Sequence, residues 1–420
     1  MAVSNGLSLD LLVRDAPVRE KVALTVERHP RRDELSIHLA LPLRPEFPAE
    51  QALQAATGQS ALRVSYAVTG LDLGASRTEL ARLVREAYAR PGPGDRLREP
   101  GAIASLSADE LRTTLLALAA HGDNIRRRLF GFPDALVIET GRPRTHAAAI
   151  RAVLREAFVH PRILHITSDI PLFPWFFLYQ HTTPLDSMRP ATFAATGFWG
   201  FRHEIQHDVP GIATALVLPR DPRIFAAVCP NLRDTGHHDP SHPLRVAGTE
   251  FVEDVVALRR ALTDFTADCL YFCGHAHHDP EPLQSTSTVS LGGVSLSVAT
   301  LEQIDGPQFH QEPVLLFLNG CGTGDLQRWD DNSFAGYIVH RGDRRICCIT
   351  TAAAVPDGFA VAFARLFWAG FLGEGQPLGA ALLAARCELL ARHNNPLGLL
   401  YEVFGQVDTH VRPAPEETTR

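Results

Sequence analysis

Lysine is almost missing from these 420 residues: Lys21 is the only one, and arginine carries nearly all the positive charge. A coding bias toward arginine accounts for this, although a guanidinium also suits a planar carboxylate partner better than an ammonium does. Positive charge is in short supply overall. The formal net charge is -7 with 21% charged residues, which excludes a broad basic surface for gripping a nucleic-acid backbone. No window stays apolar for the length of a bilayer crossing, so no membrane span is expected. Residues 1–10 lack a basic stretch followed by an apolar one, which argues against a signal peptide. A paired cysteine framework is lacking too. The seven cysteines (Cys229, Cys269, Cys273, Cys321, Cys347, Cys348 and Cys387) are odd in number and several sit in apolar runs, which fits a reducing interior. A soluble, cytoplasmic protein is expected. Internal repeats and low-complexity segments are also absent.

What is present is apolar: 45% of the residues are hydrophobic, enough for two or more domains and a large core. Up to about Arg90 the chain alternates like strands, as in Val22-Ala-Leu-Thr-Val and Leu35-Ser-Ile-His-Leu-Ala-Leu, with Leu7-Ser-Leu-Asp-Leu-Leu ahead of them. Ser76 to Ala89 has helical spacing, and Arg90-Pro-Gly-Pro-Gly-Asp is the first candidate boundary. A Ser107-x-x-Glu110 capping box opens a second helix that runs to Arg128. Ala135 to Glu139 and Arg162 to Ile166 read as strands, with a helix over His146 to Ala157 between them. From Gly211 onward, buried strands alternate with helices. Ala213 to Leu218, Cys269 to Cys273, Val314 to Leu318 and Arg345 to Ile349 read as strands. Thr249 to Phe265, Ser333 to His340, Asp357 to Phe371 and Leu378 to Arg392 read as helices. Continuous apolar strands between helices predict an α/β fold with a mostly parallel sheet covered on both faces.

Two of those strands end in reactive residues: Leu270-Tyr-Phe-Cys-Gly274-His275 and Leu315-Leu-Phe-Leu-Asn319-Gly320-Cys321-Gly322. Working residues of open α/β sheets collect beyond the carboxyl ends of strands. If the two strands are parallel neighbours, His275 and Cys321 leave the same edge. An imidazole to move protons and a thiol to attack a carbonyl are the parts of covalent catalysis. Gly274, Gly320 and Gly322 permit sharp turns and close approach of a peptide, and the backbone amides of Cys321 and Ala276 could bind an oxyanion. Each residue has a plainer reading. A cysteine after an apolar strand is usually a buried small hydrophobe, the role expected of Cys269, Cys273, Cys347 and Cys348. It is the pair, at two consecutive strand ends and in glycine turns, that favours chemistry.

Five segments carry a resemblance. They are Pro171-Leu-Phe-Pro-Trp175, Tyr271-Phe-Cys-Gly-His-Ala, Leu318-Asn-Gly-Cys-Gly-Thr-Gly, Pro377-Leu-Gly-Ala-Ala-Leu and Asn395-Pro-Leu-Gly-Leu-Leu-Tyr-Glu-Val-Phe-Gly. Their order and spacing over roughly Leu164 to Val411 resemble the CHAT-domain peptidases, bacterial relatives of caspases and separase. Caspases place their histidine about 50 residues before the cysteine, and here the separation is 46. The resemblance implies a caspase-like three-layer fold with His275 as base, Cys321 as nucleophile and Ala276 as an oxyanion donor. The family commonly has glycine where this chain has Ala276. Arginine-specific relatives carry Asp two residues before the cysteine, where this chain has Asn319. A neutral or mixed preference is therefore expected at the substrate position facing Asn319, with Asp325 as the nearest acid that could alter it.

The resemblance further implies a cysteine endopeptidase acting on a specific protein, such as a pore-forming or regulatory one. It would be switched on by a partner, within bacterial defence or cell-death systems including antiviral ones. No cofactor is expected. Two other readings stand beside it. His275-Ala-His277-His278-Asp279 satisfies the H-x-H-x-D pattern of zinc hydrolases, though Pro280 follows where those enzymes place histidine. A caspase-fold adaptor without activity is the other, and it has no chemical reason to keep both residues of the dyad. The polar stretch His237-His238-Asp239 with His242 reads as a solvated turn. The expected organisation is a β-rich N-terminal module over 1–92, a connecting α/β region over 93–205, a catalytic domain over 206–412 and a tail over 413–420.

Overall fold

Strict alternation shapes the first strands: Leu35, Ile37, Leu39 and Leu41 are buried while their neighbours are half-buried, the period-2 pattern of a sheet with one face on the core. A computed structural model of the chain describes residues 21–29, 34–89, 106–130, 147–168, 173–181, 193–208, 215–229, 237, 239–252, 267–277, 288–290, 295–297, 314–320, 346–353 and 355–413. The N-terminal strands are β1 (Lys21–Arg28), β2 (Glu34–Pro42) and β3 (Ala61–Thr69), paired antiparallel in that order. Helix α1 (Pro48–Thr57) crosses between β2 and β3 and ends at Gly58, whose φ of 69° suits a residue without a Cβ. Alternation alone did not announce this helix. Three helices follow: α2 (Leu73–Ala89), α3 (Ala108–Phe130) and α4 (Ala147–Ala157). At the start of α3, Ser107 N donates to Glu110 Oε2 at 2.9 Å and Glu110 N donates to Ser107 Oγ at 3.3 Å, the reciprocal capping its sequence predicts.

The remaining strands are β4 (Ile163–Ser168), β5 (Glu204–His207), β6 (Val217–Leu218), β7 (Ile224–Val228), β8 (Glu250–Val252), β9 (Cys269–His277), β10 (Thr288–Ser290), β11 (Ser295–Ser297), β12 (Val314–Gly320), β13 (Ile346–Thr351), β14 (Tyr401–Phe404) and β15 (His410–Val411). Thirteen strands share one mixed sheet in the order β11-β10-β9-β12-β13-β14-β5-β4-β1-β2-β3, with β7 joining β8 to β9. Helices α5 (Asp357–Trp368) and α6 (Leu378–His393) pack on each other and near its C-terminal strands. Phe363 of α5 stacks on Tyr401 of β14 with ring centres 3.6 Å apart.

Several expectations change here. The N-terminal strands are not set apart, because β1 pairs parallel with β4 and so extends the sheet that holds the later strands. The expected boundary between 205 and 206 falls inside β5, which pairs with both β4 and β14. Glu250 to Val252, expected as helix, is a strand beside β7, and among the described residues of the stretch expected as strand up to Leu218, Val217–Leu218 is a strand, paired with β15. The expected helix from Asp357 gives way after Trp368 to a π-turn over Ala369–Gly373. The segments expected around Leu7, Arg90, Ala135 and Ser333 lie outside the described residues. Among the described residues, no helix is long and apolar enough to cross a membrane.

Buried arginines tie the layers together. Arg162 and Glu50 are both fully buried and form an ion pair. Arg162 Nε also donates to Ala157 O at 2.7 Å, and Glu50 Oε2 accepts from Arg44 N at 2.7 Å, so α1, α4 and the start of β4 meet at this pair. Burial pushes the Glu50 carboxyl above its ordinary range, against the opposing pull of Arg162. Arg386 of α6 donates to Gly398 O and Gly200 O, and burial lowers its pKa to about 10.

Candidate active site

Strands β9 and β12 are parallel and adjacent, in a register that runs from Cys269 opposite Leu315 to Gly274 opposite Gly320. Every residue of Val314–Gly320 is buried, and so are Cys269 to Gly274. Such strands bury both faces, which is why they read as unbroken apolar runs. His275 is the next residue of β9, at the point where the strand changes neighbours. Up to Cys273 it is flanked by β7; beyond it, His275, Ala276 and His277 lie opposite Ser290, Val289 and Thr288 of β10. Cys321 follows Gly320 in the chain and lies outside the described residues, as do Asp325, His278 and Asp279.

Asn319 departs from its expected role. It is 1% exposed, and its amide is fully engaged in the interior. Nδ2 donates to Ala360 O of α5 at 2.8 Å and to the Tyr271 hydroxyl at 3.0 Å, while Oδ1 accepts from the Tyr401 hydroxyl at 2.7 Å. One side chain thus links β12 to β9, β14 and α5. An amide whose two donors and acceptor point inward does not line a pocket for substrate. Asn319→Leu should leave two buried tyrosine hydroxyls and a carbonyl without this partner and cost about 2–3 kcal/mol. Urea unfolding would measure it, and an unchanged midpoint would refute the linking role.

The network continues to the stretch read as a solvated turn. Tyr271 Oη lies 2.9 Å from His237 Nε2, and His237 and His242 are at most 1% exposed. Polar composition misled the reading: the imidazoles pack inward, while Asp239 faces out and holds Arg365 of α5 at 3.0 Å. Burial, then the nearby His237 and Arg365, hold the His242 pKa down to about 3. His203 behaves alike. It is fully buried between Arg162 N and Phe158 O, and burial followed by Arg202 keeps its pKa well below the ordinary value. Both are neutral when folded and titrate near pH 6.5 when unfolded. Below pH 6.5 the unfolded chain binds more protons, so stability present at neutral pH is lost on acidification, by about 1.4 kcal/mol per histidine per pH unit. Urea midpoints at pH 7 and pH 5 should differ accordingly; equal midpoints would contradict the neutral, buried state.

Four of the other thiols are unsuited to attack. Burial raises the pKa of Cys269 and Cys348, and lifts Cys347 and Cys387 to about 12, so all four stay protonated at neutral pH. Among the described residues, no group of three or more His, Cys, Asp or Glu side chains could hold a metal ion. Sequence reasoning missed Tyr271, Tyr401 and Thr351, whose positions in apolar strands gave no sign of polar work.

Comparison with known proteins adds a family. Residues 236–410 match the model of the CHAT domain. A curated protein of Vitiosangium sp., named "Probable protease", is 26% identical over 251 residues, covering 53% of this chain. The chain spans only 31% of that relative's length. Among solved structures, the Arg-specific cysteine proteinase gingipain R aligns with a TM-score of 0.42 at 10% identity, over 63% of this chain and 68% of its own. The Saccharomyces cerevisiae separase–securin complex aligns at 0.44 and 12% identity, over 93% of this chain and 30% of its own.

Proposed function

With a CHAT domain over residues 236–410 as the premise, we propose that this chain is a cysteine endopeptidase with Cys321 as nucleophile and His275 as general base. The observation that carries the reading is the register of β9 and β12, in which Gly274 faces Gly320 and the next residue in the sequence after each is a candidate. In the proposed reaction, His275 takes the thiol proton and the sulfur attacks the peptide carbonyl carbon. The oxyanion that forms is bound by the amides of Cys321 and Ala276. As the carbon–nitrogen bond breaks, the imidazolium returns the proton to the leaving amine. Water then hydrolyses the thioester with His275 again as base.

Substrate preference follows from what Asn319 does not offer. With its amide turned into the core, Asn319 supplies no charged floor for a basic side chain. Asp325 remains the acid to test in that role. The proposal extends to a specific protein as substrate rather than a nutrient peptide, and to activity that answers to a partner within a bacterial defence or cell-death system, as the resemblance to the CHAT-domain peptidases implies.

A contrast between thiol and metal chemistry tests the core of the proposal. Iodoacetamide should inactivate, EDTA should not, and His277→Ala or Asp279→Ala should cost far less activity than His275→Ala. Stoichiometric zinc, lost together with activity in EDTA, would replace this reading with a zinc hydrolase.

A further inference from the structure

Two hydrogen bonds at the ends of the N-terminal ladders fix which main-chain groups of β3 are spent and which are free. Leu43 N donates to Ser60 O at 2.9 Å, just before Pro42 opposite Ala61 opens the pairing of β2 with β3, and that pairing runs to Glu34 opposite Thr69 without a bulge. Hydrogen-bonded positions of an antiparallel pair recur at every second residue. Leu62, Val64, Tyr66 and Val68 therefore bond to β2 through their main chain, and the odd-numbered residues of β3 turn theirs to the other side. Strand β2 shows the same alternation, since His29 N donates to Glu34 O at 2.9 Å on the β1 side. Among the described residues, β3 has a neighbour on one side only and ends the path of the sheet. Exposure agrees: the outward side chains of β2, flanked by two strands, are half-buried, whereas Arg63, Ala67 and Thr69 of β3 are exposed. Sheet edges are ordinarily blunted by proline, lysine, a bulge or shortness. Strand β3 has nine residues, none of those devices, and a single charge at Arg63.

We propose that this edge is a self-association surface, on which β3 of a second copy pairs antiparallel about a twofold axis through Ser65. The strand is self-complementary in that register. Ala61 meets Thr69 of the second copy, Arg63 meets Ala67 and Ser65 meets Ser65. These are the positions whose main-chain groups point away from β2, so the five outward N–H groups of each copy all find carbonyls, ten hydrogen bonds in all. A twofold through Arg63 would oppose two guanidinium groups, and one through Val64 or Tyr66 would leave an outward residue at one end unpaired. The surface lies at the opposite end of the sheet path from β10 and β11, which flank the candidate site, so the association does not rest on the dyad. A pair of nine-residue strands is small beside the ~1,600 Å² of a standard interface, which places the dimer in the micromolar range.

Sedimentation velocity of the full chain from about 1 to about 100 µM tests the proposal, with urea unfolding to confirm that each variant is folded. The parent should pass from monomer to dimer across that range. Ala67→Pro removes an outward donor at two symmetric places and leaves the β2 ladder intact; it should weaken the dimer about tenfold or more. Ala67→Arg sets like charges opposite each other and should raise the dissociation constant about threefold to thirtyfold, whereas Ala67→Glu should lower it by a similar factor. Arg63→Glu combined with Ala67→Arg should associate as tightly as Ala67→Glu, because the charge pair is only exchanged. A parent that stays monomeric at about 100 µM would overturn the proposal, whatever other segment or protein hydrogen exchange then finds on residues 61–69. A dimer indifferent to Ala67→Pro would overturn it as well. A dimer that Ala67→Pro disrupts but neither charge at residue 67 alters would overturn the register about Ser65.

Discussion

Replacing Cys321 with alanine is expected to lower peptide cleavage by about four orders of magnitude or more, to the level left by binding and the oxyanion donors alone. The folded state should survive, because the strands that lead to this position are held by pairings that do not involve the thiol. Val314 to Gly320 stay fixed by β9 on one side and by Asn319 and Thr351 on the other. Iodoacetamide supplies the companion result: mass spectrometry should find Cys321 alkylated well ahead of Cys269, Cys347, Cys348 and Cys387. The last four are protonated and largely sealed from solvent. Cleavage at the parent rate by the alanine variant, with thermal unfolding unchanged, would remove the dyad from consideration.

The second large effect lies far from the site. Arg162→Met should destabilise the protein by about 3–5 kcal/mol, because it strands the Glu50 carboxylate in the interior. The double variant Arg162→Met with Glu50→Leu should recover most of that loss, since two apolar groups of similar volume need no pairing. Urea unfolding of the three proteins forms the test. A single variant within about 1 kcal/mol of the parent would show that the pair is not what joins α1 to β4.

Which parts of this were legible in the sequence follows from how each residue is used. Strands β9 and β12 were plain, because both faces are covered and every residue from Val314 to Leu318 is apolar. Strand β5 was not, although it sits between β4 and β14 in the middle of the sheet: Glu204, Gln206 and His207 look like surface residues and are all buried. Gln206 earns its place by accepting Val407 N at Oε1 and donating to Asp208 through Nε2. Composition cannot show such a partner as Val407, since it arrives from 201 residues away. His237 and His242 were misread for the same reason, as Tyr271 draws one of them inward. At the candidate site, the chemistry-bearing types were visible because His275 and Cys321 each follow a glycine at the end of an apolar run. The supporting contacts were not, and Asn319 shows the cost: its place two residues before the cysteine suggested a pocket, whereas its partners lie in the core.

Strand β14 sets the order in which the molecule can be finished. Among the described residues, it is the strand that connects β13, which leads to the candidate site, with β5, which leads to the N-terminal strands. Its residues, Tyr401–Phe404, are made nearly 200 residues after Glu204–His207. During synthesis the two groups of strands can therefore join through β14 only after residue 401 has been made. Because Tyr401 also holds Asn319, the floor beneath the site is completed by that same late strand. A nascent chain still short of residue 401 lacks the hydroxyl that steadies Asn319 near the end of β12.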